Sequence, residues 1–189
     1  MADEPEIALA AIEATARAVR LPVGLVFDRV TLNGEGLSFA IDPFVPAVSE
    51  PVQIEAEIGE ESLARFLNRI APGGLEGFHV QLQGGKATVD AVKRMLVSVP
   101  ARAICSVRIE EGTRLYVDFE DVAMFGGNVK GMVQKQMEHV NPILDVTDWP
   151  WEVTLIEAVI AGGKLILRGT AVPVRRSERE QRESGTSPC

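Results

Sequence analysis

NPILDVTDWPWEVTLIEAVIAGGKLILRGTA, residues 141–171, is the stretch from which the rest of the chain can be read. Asn141-Pro142 ends a helical pattern, and Asp145, Asp148 and Pro150 make a turn. Two strand-like runs then meet at Ala161-Gly162-Gly163-Lys164, where the glycine pair suits the positive backbone angles of a tight hairpin. Apolar strand, glycine turn, apolar strand is a unit that recurs along the chain.

Working outward, Leu115, Val117 and Phe119 return from a turn at Glu110-Glu111-Gly112-Thr113, which Cys105, Val107 and Ile109 lead into. Met95, Val97, Val99, Ala101 and Ala103 alternate across Pro100, a residue that marks an edge or a bulge. Phe78, Val80 and Leu82 alternate with His79, Gln81 and Gln83, and Gly84-Gly85 turns the chain into Ala87, Val89 and Ala91. Val52, Ile54, Ala56 and Ile58 alternate with Gln53, Glu55 and Glu57 without a break. Further strands are expected at about 24–32 and 37–42, joined through Asn33-Gly34-Glu35-Gly36. Pro43, Pro46 and Pro51 make 42–51 an irregular connection with little regular pairing.

Three helices are expected. Residues 5–20 carry an alanine-rich stripe of Ile7, Ala11, Ala14, Ala18 and Val19. Residues 60–70 place Leu63, Phe66, Leu67 and Ile70 at helical spacing, before Ala71-Pro72-Gly73-Gly74 stops them. Residues 128–140 place Val129, Met132, Val133, Met137 and Val140 on one face. Strands that follow strands without intervening helices argue against a parallel α/β class. The expected fold is α+β, about nine strands in a long curved antiparallel sheet, a half-pipe or open barrel, with about three helices. One domain spans 1–174, and the polar segment 175–189 should be disordered.

Composition narrows the function. A net charge of −8 argues against nucleic acid, whose phosphates need a basic surface. Acidic residues near the start, where a signal peptide carries lysine or arginine, and the lack of eighteen consecutive apolar residues point to a cytoplasmic protein. His79 and His139 have no partner at metal-ligand spacing, so no metal and no cofactor is expected. Asp118, Glu120 and Asp121 read as a solvated face, and Cys105 as a small buried hydrophobe without a local histidine. The glycine pairs lack the lysine-serine/threonine ending of a nucleotide loop, and no serine sits in a nucleophile elbow. An enzyme is not expected.

The apolar helix faces read first as core. Methionine is flexible and polarizable, however, so Met132, Val133 and Met137 suit acyl chains as well as packing. Trp149 and Trp151 flank Pro150 where a strand begins, at the rim of the core or at a membrane–water boundary.

The helix ESLARFLNRI, the hairpin FHVQLQGGKATVDA and the 141–171 stretch resemble, in order and spacing, the bacterial LmeA-like (lipomannan-elongation-type) phospholipid-binding envelope proteins. The resemblance covers about 52–172. It implies a curved, tubular lipid-binding-like sheet, association with phospholipid or another long-chain amphiphile, and no catalytic residue. The candidate lipid-binding residues are then Leu63, Phe66, Leu67, Ile70, Met132, Val133, Met137, Trp149 and Trp151. The lack of a signal-like start departs from the envelope members, and favours a protein peripheral to the inner membrane. The alternative is a structural or protein-interaction module with a fully packed core.

Overall fold

The structure is a computed structural model that describes residues 6–41, 44–48, 51–94, 98–124, 141–147, 149 and 151–173. The chain is largely β, two antiparallel sheets that include a curled half-barrel sheet. The first sheet takes β1 (Glu6–Arg20), β2 (Val26–Ile41), β3 (Phe44–Val48) and β4 (Val52–Gly59) from the first third of the chain. It is completed by the last hairpin, β10 (Trp151–Ala161) and β11 (Lys164–Pro173). Its order is β1-β2-β4-β11-β10, with β3 also paired to β2. The second sheet runs in sequence order: β5 (Leu75–Gln83), β6 (Lys86–Arg94), β7 (Ser98–Glu110), β8 (Arg114–Met124) and β9 (Leu144–Asp145). A single α-helix among the described residues, α1 (Glu60–Ile70), links the two sheets.

Three expectations are corrected. Residues 6–20 are strand, not helix, paired with β2 from Glu6↔Ala40 to Arg20↔Val26. A helix of this length is marginal alone, so the paired ribbon overrides alanine's preference. Ala18, at φ 52°, breaks the alternation, and Val19 then packs against the core. Second, Asn33-Gly34 does not turn; β2 runs straight through, because both its neighbours pair there, Ile12↔Gly34 on one side and Asn33↔Gln53 on the other. Gly34 lies close to β4, since a Cβ there would be 3.1 Å from the Val52 side chain. Third, 44–48 is a regular strand, with Pro46 opposite Phe39. It is tolerated because β3 pairs on one side only. Of the about three expected helices, one is a strand and one, α1, is present among the described residues; the expected helix 128–140 and the tail 175–189 lie outside them.

The Gly162-Gly163 hairpin stands as expected, with φ of 58° and 74°. Pro100 pairs with Val92 on β6, and the described register with β8 starts at Ala101, opposite Met124. The sheets meet where the β10–β11 hairpin crosses the turns of the second sheet. Ile160 and Leu165 join Val80, Leu82, Leu115, Leu144 and Val146 in one buried cluster. The backbone seals the joint: the Leu155 N–H donates to the Gly112 carbonyl at 2.6 Å, and the Gly163 N–H to the Leu82 carbonyl at 3.2 Å. The first bond is possible because Ile156 is an extra residue in β10, between the pairs Leu155↔Gly169 and Glu157↔Arg168.

Glu57 on β4 is the one largely buried carboxylate among the described residues. Lys164 donates to it at 2.6 Å and Arg29 lies 3.5 Å away. The lysine hydrogen bond holds its pKa below the ordinary carboxylate value, against the opposing effect of burial. A depressed folded pKa gives stability that is present above the ordinary value of 4.5 and lost as pH falls through the folded value. Urea unfolding across this range should therefore show a wild-type stability loss on acidification that is smaller in Glu57→Gln, the remainder coming from other carboxylates with lowered pKa such as Asp145. A second prediction concerns Gly169, where a Cβ would lie 2.3 Å from the Thr154 carbonyl oxygen. Gly169→Ala should cost about 2–3 kcal/mol as overpacking against backbone, seen as a melting temperature several degrees lower in circular dichroism.

Candidate functional site

The inward face of the second sheet is apolar from edge to edge. Phe78, Val80 and Leu82 on β5 face the same side as Ala87, Val89 and Ala91 on β6. Register keeps the faces aligned: Val80 opposes Val89, Ala87 opposes Cys105, and Ala91 opposes Ala101. On β8 the period of two would put Asp121 inside after Val117 and Phe119. A bulge at Glu120 resets it, so that Cys105 opposes Phe119 while Ala103 opposes Val122. Glu120 stays outside and pairs with Lys86 at 2.5 Å.

The middle of this wall is built from small side chains. Ala87, Ala91, Ala101, Ala103 and Cys105 sit across from one another on the central strands β6 and β7. They leave a cavity of about 140 Å³ between the sheet and α1, similar to the roughly 150 Å³ of an engineered apolar cavity that stays dry and admits benzene. Leu63, Phe66 and Leu67 cover it from α1, at helical spacings i, i+3 and i+4. Leu25, Ile160 and Leu165 also line it, as do Pro72 and Leu75 just beyond the end of α1.

Polar contacts seat the helix. Its N-terminus has no cap of its own, and Asp28 on β2 supplies one, accepting from the Gly59 N–H at 2.6 Å and the Ser62 hydroxyl at 2.5 Å. Glu60 accepts from the Leu82 N–H at 2.8 Å. Gly77 and Phe78 bulge out of the β5–β6 register, which leaves the Phe78 backbone groups without a strand partner. The Asn68 amide takes both, accepting from the Phe78 N–H at 2.9 Å and donating to its carbonyl at 3.1 Å. Asn141 does the same at the edge of β8, exchanging two bonds with Val117.

Of the sequence-predicted site residues, the structure gathers Leu63, Phe66 and Leu67 at the cavity. Ile70 lies at the exposed end of the helix, 37% exposed, and does not line it. Trp149 packs half-buried against the core and Trp151 is exposed on β10, neither of them at the cavity. Met132, Val133 and Met137 lie outside the described residues. The alanine and cysteine positions of β6 and β7 were missed as site residues. Their alternation was legible, but their juxtaposition depends on the pairing register.

Little in the wall is reactive. Arg102 is the one charged lining residue among those described, and its guanidinium turns outward to Asp90 at 2.6 Å. Burial, with a smaller push from Glu120, raises the Cys105 thiol to about 12, so it is neutral at ordinary pH. Asp118 pairs with Arg108 at 2.7 Å on the outer face, and His79 is exposed. Asp145 accepts from the Thr147 hydroxyl and N–H, which hold its pKa below the usual value as part of a turn. Among the described residues no three His, Cys, Asp or Glu side chains converge as metal ligands, and no helix is long and apolar enough to cross a membrane.

Neither a curated protein nor a solved structure matches the chain. A family model described as LmeA-like phospholipid-binding matches residues 2–170, adding the β1–β2 ribbon to the part that the sequence motifs had covered. With both sheets and the cavity inside the matched span, the chain belongs to the LmeA-like phospholipid-binding family.

Proposed function

We propose that this protein binds phospholipid, or another long-chain amphiphile, without chemical turnover, in a tubular lipid-binding-like arrangement with an acyl chain held between α1 and the second sheet. The observation that carries the reading is the small-residue wall, which leaves empty apolar space where a packed core would place leucine or phenylalanine. Family membership supports the same ligand class. The cavity suits a chain segment rather than a polar substrate, because its lining offers no inward charged group. Each methylene taken from water contributes about 0.8 kcal/mol. About five methylenes fit a cavity of this size and supply about 4 kcal/mol, so the rest of a phospholipid's affinity comes from the parts of the molecule held outside the cavity.

Native mass spectrometry and lipid extraction of the purified protein should find co-purified phospholipid, and fluorescent phospholipid should bind the stripped protein. Ala103→Phe decides between this reading and a filled interaction module. In a ligand cavity the ring occupies the empty space, so phospholipid binding should fall at least tenfold while the melting temperature holds or rises. In a packed core the same ring has no room, and the melting temperature should drop by several degrees with no lipid to lose. A lipid-free protein that ignores phospholipid, and is destabilised by Ala103→Phe, would sink the proposal.

A further inference from the structure

One end of the molecule joins exposed apolar side chains to a group of cations. The turn between β1 and β2 presents Pro22 and Val23 to solvent, and Val23 is 59% exposed. The C-terminus of α1 lies against this turn, since Arg69 donates to the Val23 carbonyl at 2.7 Å and rests over the Phe66 ring. Ile70, the last residue of α1, is exposed beside it. The chain then passes through Pro72–Gly74, where Lys93 from β6 donates to the Gly73 carbonyl. Pro72 and Leu75 line the cavity, so its wall reaches this same end.

The charges here oppose those of the whole molecule. The chain carries a net −8, yet Arg20, Arg69, Lys93 and Arg94 gather at this end. Among the described residues the carboxylate paired with one of them is Glu76, 2.9 Å from Arg94. Arg20 and Arg69 have no carboxylate at ion-pair distance among the described residues. The far end of the second sheet is acidic instead, at the Glu110-Glu111 turn. An anionic bilayer would repel most of this surface and attract one end of it, which orients the molecule before contact.

We propose that this end is a docking face for an anionic bilayer surface. Val23, Pro22 and Ile70 enter the headgroup boundary, and Arg20 and Arg69 meet lipid phosphates. The inference extends the phospholipid reading and rests on it, because docking by this end brings the Pro72–Leu75 border of the cavity to the lipid. Exposed apolar side chains ringed by cations suit a membrane interface, where apolar burial and electrostatic attraction add. Isolated surface valines are common; here the position beside the cavity border and the local reversal of charge set these residues apart.

The test is flotation of the full chain with vesicles of phosphatidylcholine alone and of phosphatidylcholine mixed with phosphatidylglycerol. Binding should require phosphatidylglycerol and weaken as salt is added. Arg20→Gln should weaken it about fivefold, and Val23→Ser with Ile70→Ser about tenfold. Ile156→Ser, equally exposed but on the outer side of β10, should change nothing. Equal binding to both vesicle types, salt-insensitive binding, or the same loss from Ile156→Ser as from the Val23/Ile70 pair overturns the docking face. Native mass spectrometry on the same preparations separates the two proposals. Retained phospholipid without vesicle binding overturns docking and leaves the cavity reading standing. Anionic-vesicle binding by a protein that holds no phospholipid supports the docking face and sinks the cavity reading.

Discussion

The bond from the Leu155 N–H to the Gly112 carbonyl is the constraint on which the architecture depends. β10 is the edge strand of its sheet, so backbone donors on its outer side need partners elsewhere, and a buried one left unmatched costs about as much as a lost hydrogen bond. The extra residue at Ile156 takes β10 out of step with β11, and the Leu155 N–H then finds the turn of the other sheet. Gly169, opposite the irregularity, must be glycine, because the Thr154 carbonyl occupies the place of its Cβ. The two sheets are thereby held at this backbone contact and at the bond from the Gly163 N–H to the Leu82 carbonyl, with Ile160, Leu165 and Leu82 packed around them.

With that joint set, the cavity follows from parity and size. Inward residues oppose inward residues along β5–β8, and the bulge at Glu120 preserves this where the acidic sequence would break it. Leucine or phenylalanine at the facing alanines of β6 and β7 would fill the interior to ordinary density. Alanine leaves a space that α1 roofs without filling. The helix is held by polar groups at both ends, Asp28 at its start and Asn68 at the β5 bulge, so its apolar side chains need not collapse into the gap. Apolar lining, a neutral buried thiol and charges turned outward make a site suited to holding hydrocarbon.

Much of the β architecture was legible. Period-two runs at 52–58, 78–82, 105–109 and 115–119 are strands, and the glycine hairpins at 84–85 and 162–163 stand where expected. The helix at 60–70 has its predicted bounds, and three of its apolar residues face the cavity. Where the reading failed, at 6–20, at Asn33-Gly34 and at 44–48, the local signal was genuine but weak. Alanine favours helix, Asn-Gly favours a turn and proline disfavours strand, each by amounts that a paired neighbour can override.

The sequence by itself determined what each residue contributes locally: alternation, turn chemistry, the apolar stripe of one helix, and a pattern of elements specific enough to indicate the family. Tertiary structure alone decided which faces meet. Alanine at 87 and cysteine at 105 are unremarkable apart, and become a cavity wall because pairing sets them opposite each other. Val23 and Ile70, 47 positions apart by subtraction of their residue numbers, become neighbours because Arg69 reaches back to the β1–β2 turn. The physical reason is range. Dihedral preference and periodicity act over a few residues and are written in order along the chain, whereas register, empty volume and charge distribution arise between segments and exist only once those segments have packed.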